Sequence, residues 1–148
     1  MHRLFLRAAP AMLALCGALH LPARADTLAS EAQIRALTDN IMTQAGAGRI
    51  EDAYGLMSPY ALVDVRALEA ARANARSARM AIEARVGASV GYEFIRSEKV
   101  GDALIKMTYI EKTERQAIPW QFIFYKTPAG WGISNLSNGD DVDTLFAR

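Results

Sequence analysis

The histidines and the single cysteine of this 148-residue chain, His2, His20 and Cys16, all stand within its first 20 residues. Chemistry beyond them must rest on carboxylates, lysine, arginine, tyrosine and serine. Tyr109 and Glu111 share one face of a strand-like run and offer a phenol donor and a carboxylate base. The competing expectation for Glu111 is exposure at a strand end, because an unpaired buried carboxylate is costly. Ser58 and Ser134 are serines with no lysine at a spacing that supports a serine-lysine dyad. Arg72, Arg76 and Arg79 form a stripe that could hold an anionic lipid or partner. The plainer expectation is a solvated helix face, with Arg79 and Glu83 paired at i,i+4. Asp140, Asp141 and Asp143 lie in "NGDDVD", which lacks the alternating ligands and distal glutamate of a calcium loop. Capping of a short C-terminal helix through Leu145-Phe146 is the expected role.

The leader carries further information. Arg3 and Arg7 precede an apolar run from Ala8 to Leu21, and Ala23-Arg24-Ala25 has the small-x-small cleavage pattern. Residues 1–25 therefore read as a signal peptide, and 26–148 as a single periplasmic or secreted domain. Lipidation at Cys16 is the rival; Leu15 is bulky where a small residue is wanted. Loss of Arg3, Arg7 and Arg24 leaves 14 basic against 16 acidic residues, a balance that argues against a dedicated nucleic-acid binder. The mature chain would hold no histidine and no cysteine, which removes disulfides, thiolate nucleophiles, imidazole or thiolate metal sites and serine-histidine triads. No other segment approaches the about 20 apolar residues of a membrane helix, so stable membrane insertion is not expected.

The elements that position these groups divide in two. Ser30-Glu31-Ala32-Gln33 has the form of a capping box, and Ile34, Leu37, Ile41 and Met42 recur at helical spacing until Gly46-Ala47-Gly48. Arg49 to Met57 reads as a short second helix. Ser58-Pro59 opens a predicted third helix reaching Val86, with Leu62, Val65, Leu68, Met80, Ile82 and Val86 as its apolar stripe. Beyond Gly87 the period becomes two. Tyr92 to Lys99, Ala103 to Thr113, Ile118 to Lys126 and Trp131 to Ser137 are predicted strands of an antiparallel meander, making an α+β domain.

Register follows from the Thr127-Pro128-Ala129-Gly130 turn. Lys126 opposite Trp131 sets Phe124 against Ile133, Phe122 against Asn135 and Trp120 against Ser137. Tyr109, Met107 and Ile105 then fall beside Phe122, Phe124 and Lys126, and Tyr92, Phe94 and Arg96 beside those. One face collects the large aromatics, which most often means core and alternatively the wall of a pocket. The opposite face carries Ile95, Leu104, Ile110, Ile123, Tyr125 and Leu136. Two apolar faces need two covers: the helices for one, and a second subunit for the other, paired through Ile95, Ile110, Ile123, Tyr125 and Leu136.

The helix, glycine stop, short helix "AGRIEDAYGLMSPY", longer helix and meander ending "WQFIFYKTPAGWGISNL" together resemble the nuclear transport factor two-like, cystatin-related cone superfamily. The resemblance covers most of Ser30 to Leu136. It implies a curved sheet wrapping helices into a conical cavity, often in homodimers, with both isomerases or hydratases and noncatalytic modules among the members. Fold membership alone says little about function, and the spacing of Tyr92, Tyr109 and Glu111 does not match the isomerase motif. The expected function is noncatalytic binding of a small apolar ligand or a protein partner. Trp120, Phe122 and Tyr109 would bound the cavity, and Tyr92, Arg96, Glu111, Asn135 and Tyr54 would be its polar fittings. No cofactor or metal is implied. The alternatives are a cofactor-free isomerase or hydratase using Glu93, Glu111 or Asp64, and a purely structural envelope subunit.

Overall fold

The computed structural model describes residues 25–139 and 141–146. The signal-peptide and Cys16 readings fall on residues outside this range, as does Asp140. The elements are α1 (Glu31–Gly46), α2 (Ile50–Met57), a 3-10 turn (Ser58–Tyr60), α3 (Val65–Val86), β1 (Ser89–Val100), β2 (Leu104–Thr113), β3 (Ala117–Thr127), β4 (Gly130–Asn138) and a second 3-10 turn (Val142–Leu145). Three helices pack against an open four-stranded antiparallel meander in the order β1-β2-β3-β4, an α+β fold consistent with a cone.

The start of α1 follows its capping box. Ser30 Oγ accepts from the Gln33 N–H at 3.3 Å, and Gln33 Oε1 accepts from the Ala29 N–H at 2.7 Å, which satisfies donors that a helix start leaves open. Ile34, Thr38, Ile41, Met42 and Ala45 form one buried stripe against the sheet. The third helix begins later than Ser58-Pro59 suggests. Residues 58–60 make a single 3-10 turn, Ala61 then bridges to Ile133, and the Leu62 N–H donates to the Ile133 carbonyl at 2.8 Å. Asp64 caps the true start by accepting from the Arg66 N–H at 2.9 Å. The delay has a physical return: Leu62 and Leu28 both hydrogen-bond to β4 and cover part of an edge otherwise open to strand pairing.

The α3 stripe also differs from expectation. Its buried residues are Leu68, Ala75, Arg79 and Val86, whereas Val65 and Met80 are 57% and 65% exposed. The solvated-face reading is thereby overturned for Arg79, although its pairing with Glu83 holds at 2.8 Å. Arg76 stays exposed, and half-buried Arg72 lies 3.9 Å from Glu69.

In the sheet, Lys126 pairs with Trp131 and Phe124 with Ile133 as expected. Gly130 completes the two-residue Pro128-Ala129 turn at φ +138°, with the Leu28 carbonyl 2.8 Å from where a Cβ would sit, so only glycine fits there without strain. The β2 to β3 pairing is shifted by two residues, Tyr109 lying opposite Trp120 and Met107 opposite Phe122. A shift of two preserves the face. Two bulges do not. An irregularity between Phe94 and Arg96 sets Arg96 opposite Thr108, and one beyond Ile123 pairs Phe122 with Leu136 and Ile123 with Asn135. Each inserts an extra residue and reverses the alternation beyond it. Arg96 and Asn135 therefore belong to the outer face, and Leu136 packs on the core instead of on that face.

The outer face is in part self-covered. Asp141 caps the second 3-10 turn by accepting from the Asp143 N–H, the capping role expected of this acidic run, and Arg96 Nη1 donates to the Leu145 carbonyl at 2.8 Å. Thr108 is fully buried on that face, while Tyr125 remains 46% exposed.

Candidate functional site

Two polar clusters lie between helices and sheet, and they are chemically different. The first joins α1 to β1 and β2. Tyr109 OH contacts Thr38 Oγ1 at 2.7 Å and donates to Asp39 Oδ1 at 2.8 Å, while Arg35 binds Asp39 and stacks 3.5 Å over the Phe94 ring. Burial pushes the Tyr109 phenol far above its ordinary value, with the Asp39 carboxylate adding to the rise, so it stays a donor. Tyr92 OH reaches Thr43 Oγ1 at 3.2 Å. These groups are spent on holding α1 to the sheet.

The second cluster lines a cavity of about 160 Å3 between α2, α3 and the ends of β2 and β3. Ile50 and Tyr54 come from α2, Ala75, Ala78, Arg79, Ile82, Arg85 and Val86 from α3, and Glu111, Ile118 and Trp120 from the sheet, with Asn138 and Gly139 at one side. Glu111 is 0% exposed and Arg79 6%, so the expectation of an exposed Glu111 fails. The reason is that Glu111 is not unpaired. Arg79 Nη1 lies 2.6 Å from Glu111 Oε1, an ion pair outside hydrogen-bond angles, and Trp120 Nε1 donates to Oε2 at 3.2 Å. A buried charge persists when it is paired.

Burial by itself would lower the Arg79 pKa; the carboxylates of Glu111 and Glu83 outweigh it and raise the guanidinium further. Arg79 Nε donates to Glu83 at 2.8 Å, but Nη2 is buried with no hydrogen-bond partner among the described residues. The Tyr54 phenol, also at this cavity, is raised by burial and so keeps its proton.

Of the eight residues expected to share a site, Tyr54, Glu111 and Trp120 meet here. Tyr92 and Tyr109 belong to the α1 cluster, and Phe122 is fully buried core stacked on Trp120 at 6.1 Å. Arg96 and Asn135 lie on the outer face. Tyr109 and Glu111 share no partner, so they do not form a donor and base pair. Asp64 is the α3 cap and Glu93 pairs with Lys112 at 3.9 Å, leaving Glu111 alone of the three carboxylates at the cavity. Ser58 binds Glu69 and Ser134 the Ile123 carbonyl, so neither meets a lysine. Sequence reading missed Arg79. Its signal was the spacing of Ala75, Arg79 and Val86, which puts all three on one helix face.

No cluster of three or more histidine, cysteine, aspartate or glutamate side chains fit for a metal occurs among the described residues, and none of their helices is long and apolar enough to cross a membrane. The fold and cavity define an open-sheet α+β domain with one buried cation in a mainly apolar recess. No protein-family model, curated protein or solved structure matches the chain.

Proposed function

We propose that the chain is an exported, noncatalytic binding domain of the nuclear transport factor two-like cone type, holding a small apolar ligand in the cavity between α2, α3 and the sheet. The carrying observation is that this recess combines Ile82, Ile118 and Trp120 with Arg79, whose Nη2 lacks a hydrogen-bond partner among the described residues. At about 160 Å3 it is close to the size of a core cavity that accepts benzene. A cofactor-free isomerase or hydratase is the second reading, favoured by Glu111 and Tyr54 lining one cavity. Both Glu111 oxygens are engaged by Arg79 and Trp120, which suits an anchor better than a base. A purely structural envelope subunit would have no use for the recess.

Native mass spectrometry of the protein recovered from the exported fraction of its host tests this reading. The expected result is a chain beginning at Asp26 and carrying a noncovalent small molecule. A bare chain, or one beginning at a lipidated Cys16, would count against the corresponding part.

The proposed protein partner is a second copy. Ile110, Ile123 and exposed Tyr125 share the outer face with Ile95 at its bulge. Around them stand groups of both signs, with Lys106 and Arg96 on Glu98 and Lys112 near Glu93. A patch with both signs can meet itself across a two-fold axis. Ile123→Glu would put an unpaired charge into that contact at a cost of a few kcal/mol. Sedimentation should show a wild-type dimer and a monomeric variant; a wild type monomeric at high concentration would sink the pairing.

A further inference from the structure

We infer that the ligand of this cavity is a neutral molecule of about one ring bearing a carbonyl-type acceptor, held by the Arg79 guanidinium, an inference that rests on the binding reading above. Arg79 lines the cavity and commits Nε to Glu83 and Nη1 to Glu111, while its Nη2 is buried without an acceptor among the described residues. Native proteins rarely leave such a donor unanswered, and an exception points to a water, an ion or a ligand. A ligand oxygen at this wall would meet it after a rotamer-scale movement, since Nη2 is enclosed.

Charge decides the kind of oxygen. An isolated buried guanidinium would select an anion, but this one already faces two carboxylates, and Glu111 is wholly buried with it. A third carboxylate would add repulsion in a region of weak screening. Arg85 also lines the cavity, from an exposed position where solvent screens its charge. A carbonyl oxygen satisfies Nη2 without adding charge. The remaining wall, chiefly Ile82, Ile118 and the Trp120 ring, suits an apolar body. Tyr54 supplies a second donor that burial keeps protonated.

The test uses three probes of similar size on the wild-type domain: acetophenone, benzoate and ethylbenzene. Binding is read from the indole N–H resonance of Trp120, which lines the cavity while Trp131 stands elsewhere. Acetophenone should shift it saturably and bind about tenfold or more tightly than the other two, as one added hydrogen bond without charge repulsion implies. Ala78→Phe, at an exposed position on the cavity rim, should abolish the shift while the rest of the spectrum stays folded. Benzoate binding as well as acetophenone would overturn the neutral-ligand inference, and ethylbenzene binding equally well would overturn the role of Arg79. Both outcomes would leave the cavity reading standing. No shift with any probe, or a shift indifferent to Ala78→Phe, would overturn the cavity reading itself.

Discussion

Glu111→Leu lowers the stability of the domain by about 3 to 5 kcal/mol, the cost of stranding a buried partner charge. Arg79 would keep Glu83, 38% exposed, as its carboxylate and would lose the one that shares its burial. The Trp120 indole N–H would lose its acceptor as well. The double variant Arg79→Met with Glu111→Leu should recover most of that loss, because apolar side chains of similar volume avoid the desolvation of both charges. Urea denaturation of the wild type, both single variants and the double variant gives the coupling directly. Strictly additive losses would show that the pair is not the unit described.

Trp120→Ala costs about 3 to 5 kcal/mol by removing the largest fully buried side chain and leaving a cavity beside Phe122. Part of that loss comes from orphaning Glu111 Oε2, so Trp120→Phe, which keeps most of the ring packing, should still cost about 1 to 3 kcal/mol. Thermal and urea unfolding of the two variants separate packing from hydrogen bonding. A loss below about 1 kcal/mol for Trp120→Ala would mean that the ring is not core. A small molecule bound in the cavity should stabilise the wild type against unfolding and stabilise Trp120→Ala less, since the ring lines that cavity.

Much of the architecture was legible because it depends on local signals. The Ser30 cap and the Gly46-Ala47-Gly48 stop act within a few residues, and the period-two pattern of β1 to β4 together with short turns forces a meander. The hairpin pairing of Lys126 with Trp131 was readable for the same reason. The third helix starts at Val65 and not at Ser58-Pro59 because that local start signal loses to a nonlocal contact, the bridge from Ala61 to Ile133. Two of the eight expected site residues failed at two bulges. Each adds one residue to a strand, and nothing in the pattern around Ile95 or Ser134 announces it, yet it turned Arg96 and Asn135 outward and Leu136 inward.

By itself the sequence determined the class of the fold, the order of its elements, the aromatic inner face and the confinement of histidine and cysteine to the first 20 residues. Those properties follow from composition and from periodicities that each segment carries alone. Only the tertiary structure decided that Glu111 is buried, that Arg79 is its partner, and that Tyr54 and Trp120 meet them at one cavity while Tyr109 does not. Arg79 and Glu111 lie on different elements, and each looks like a surface charge until the other is placed beside it. A buried ion pair is tolerable only as a pair, so no property of either residue taken singly could have disclosed it.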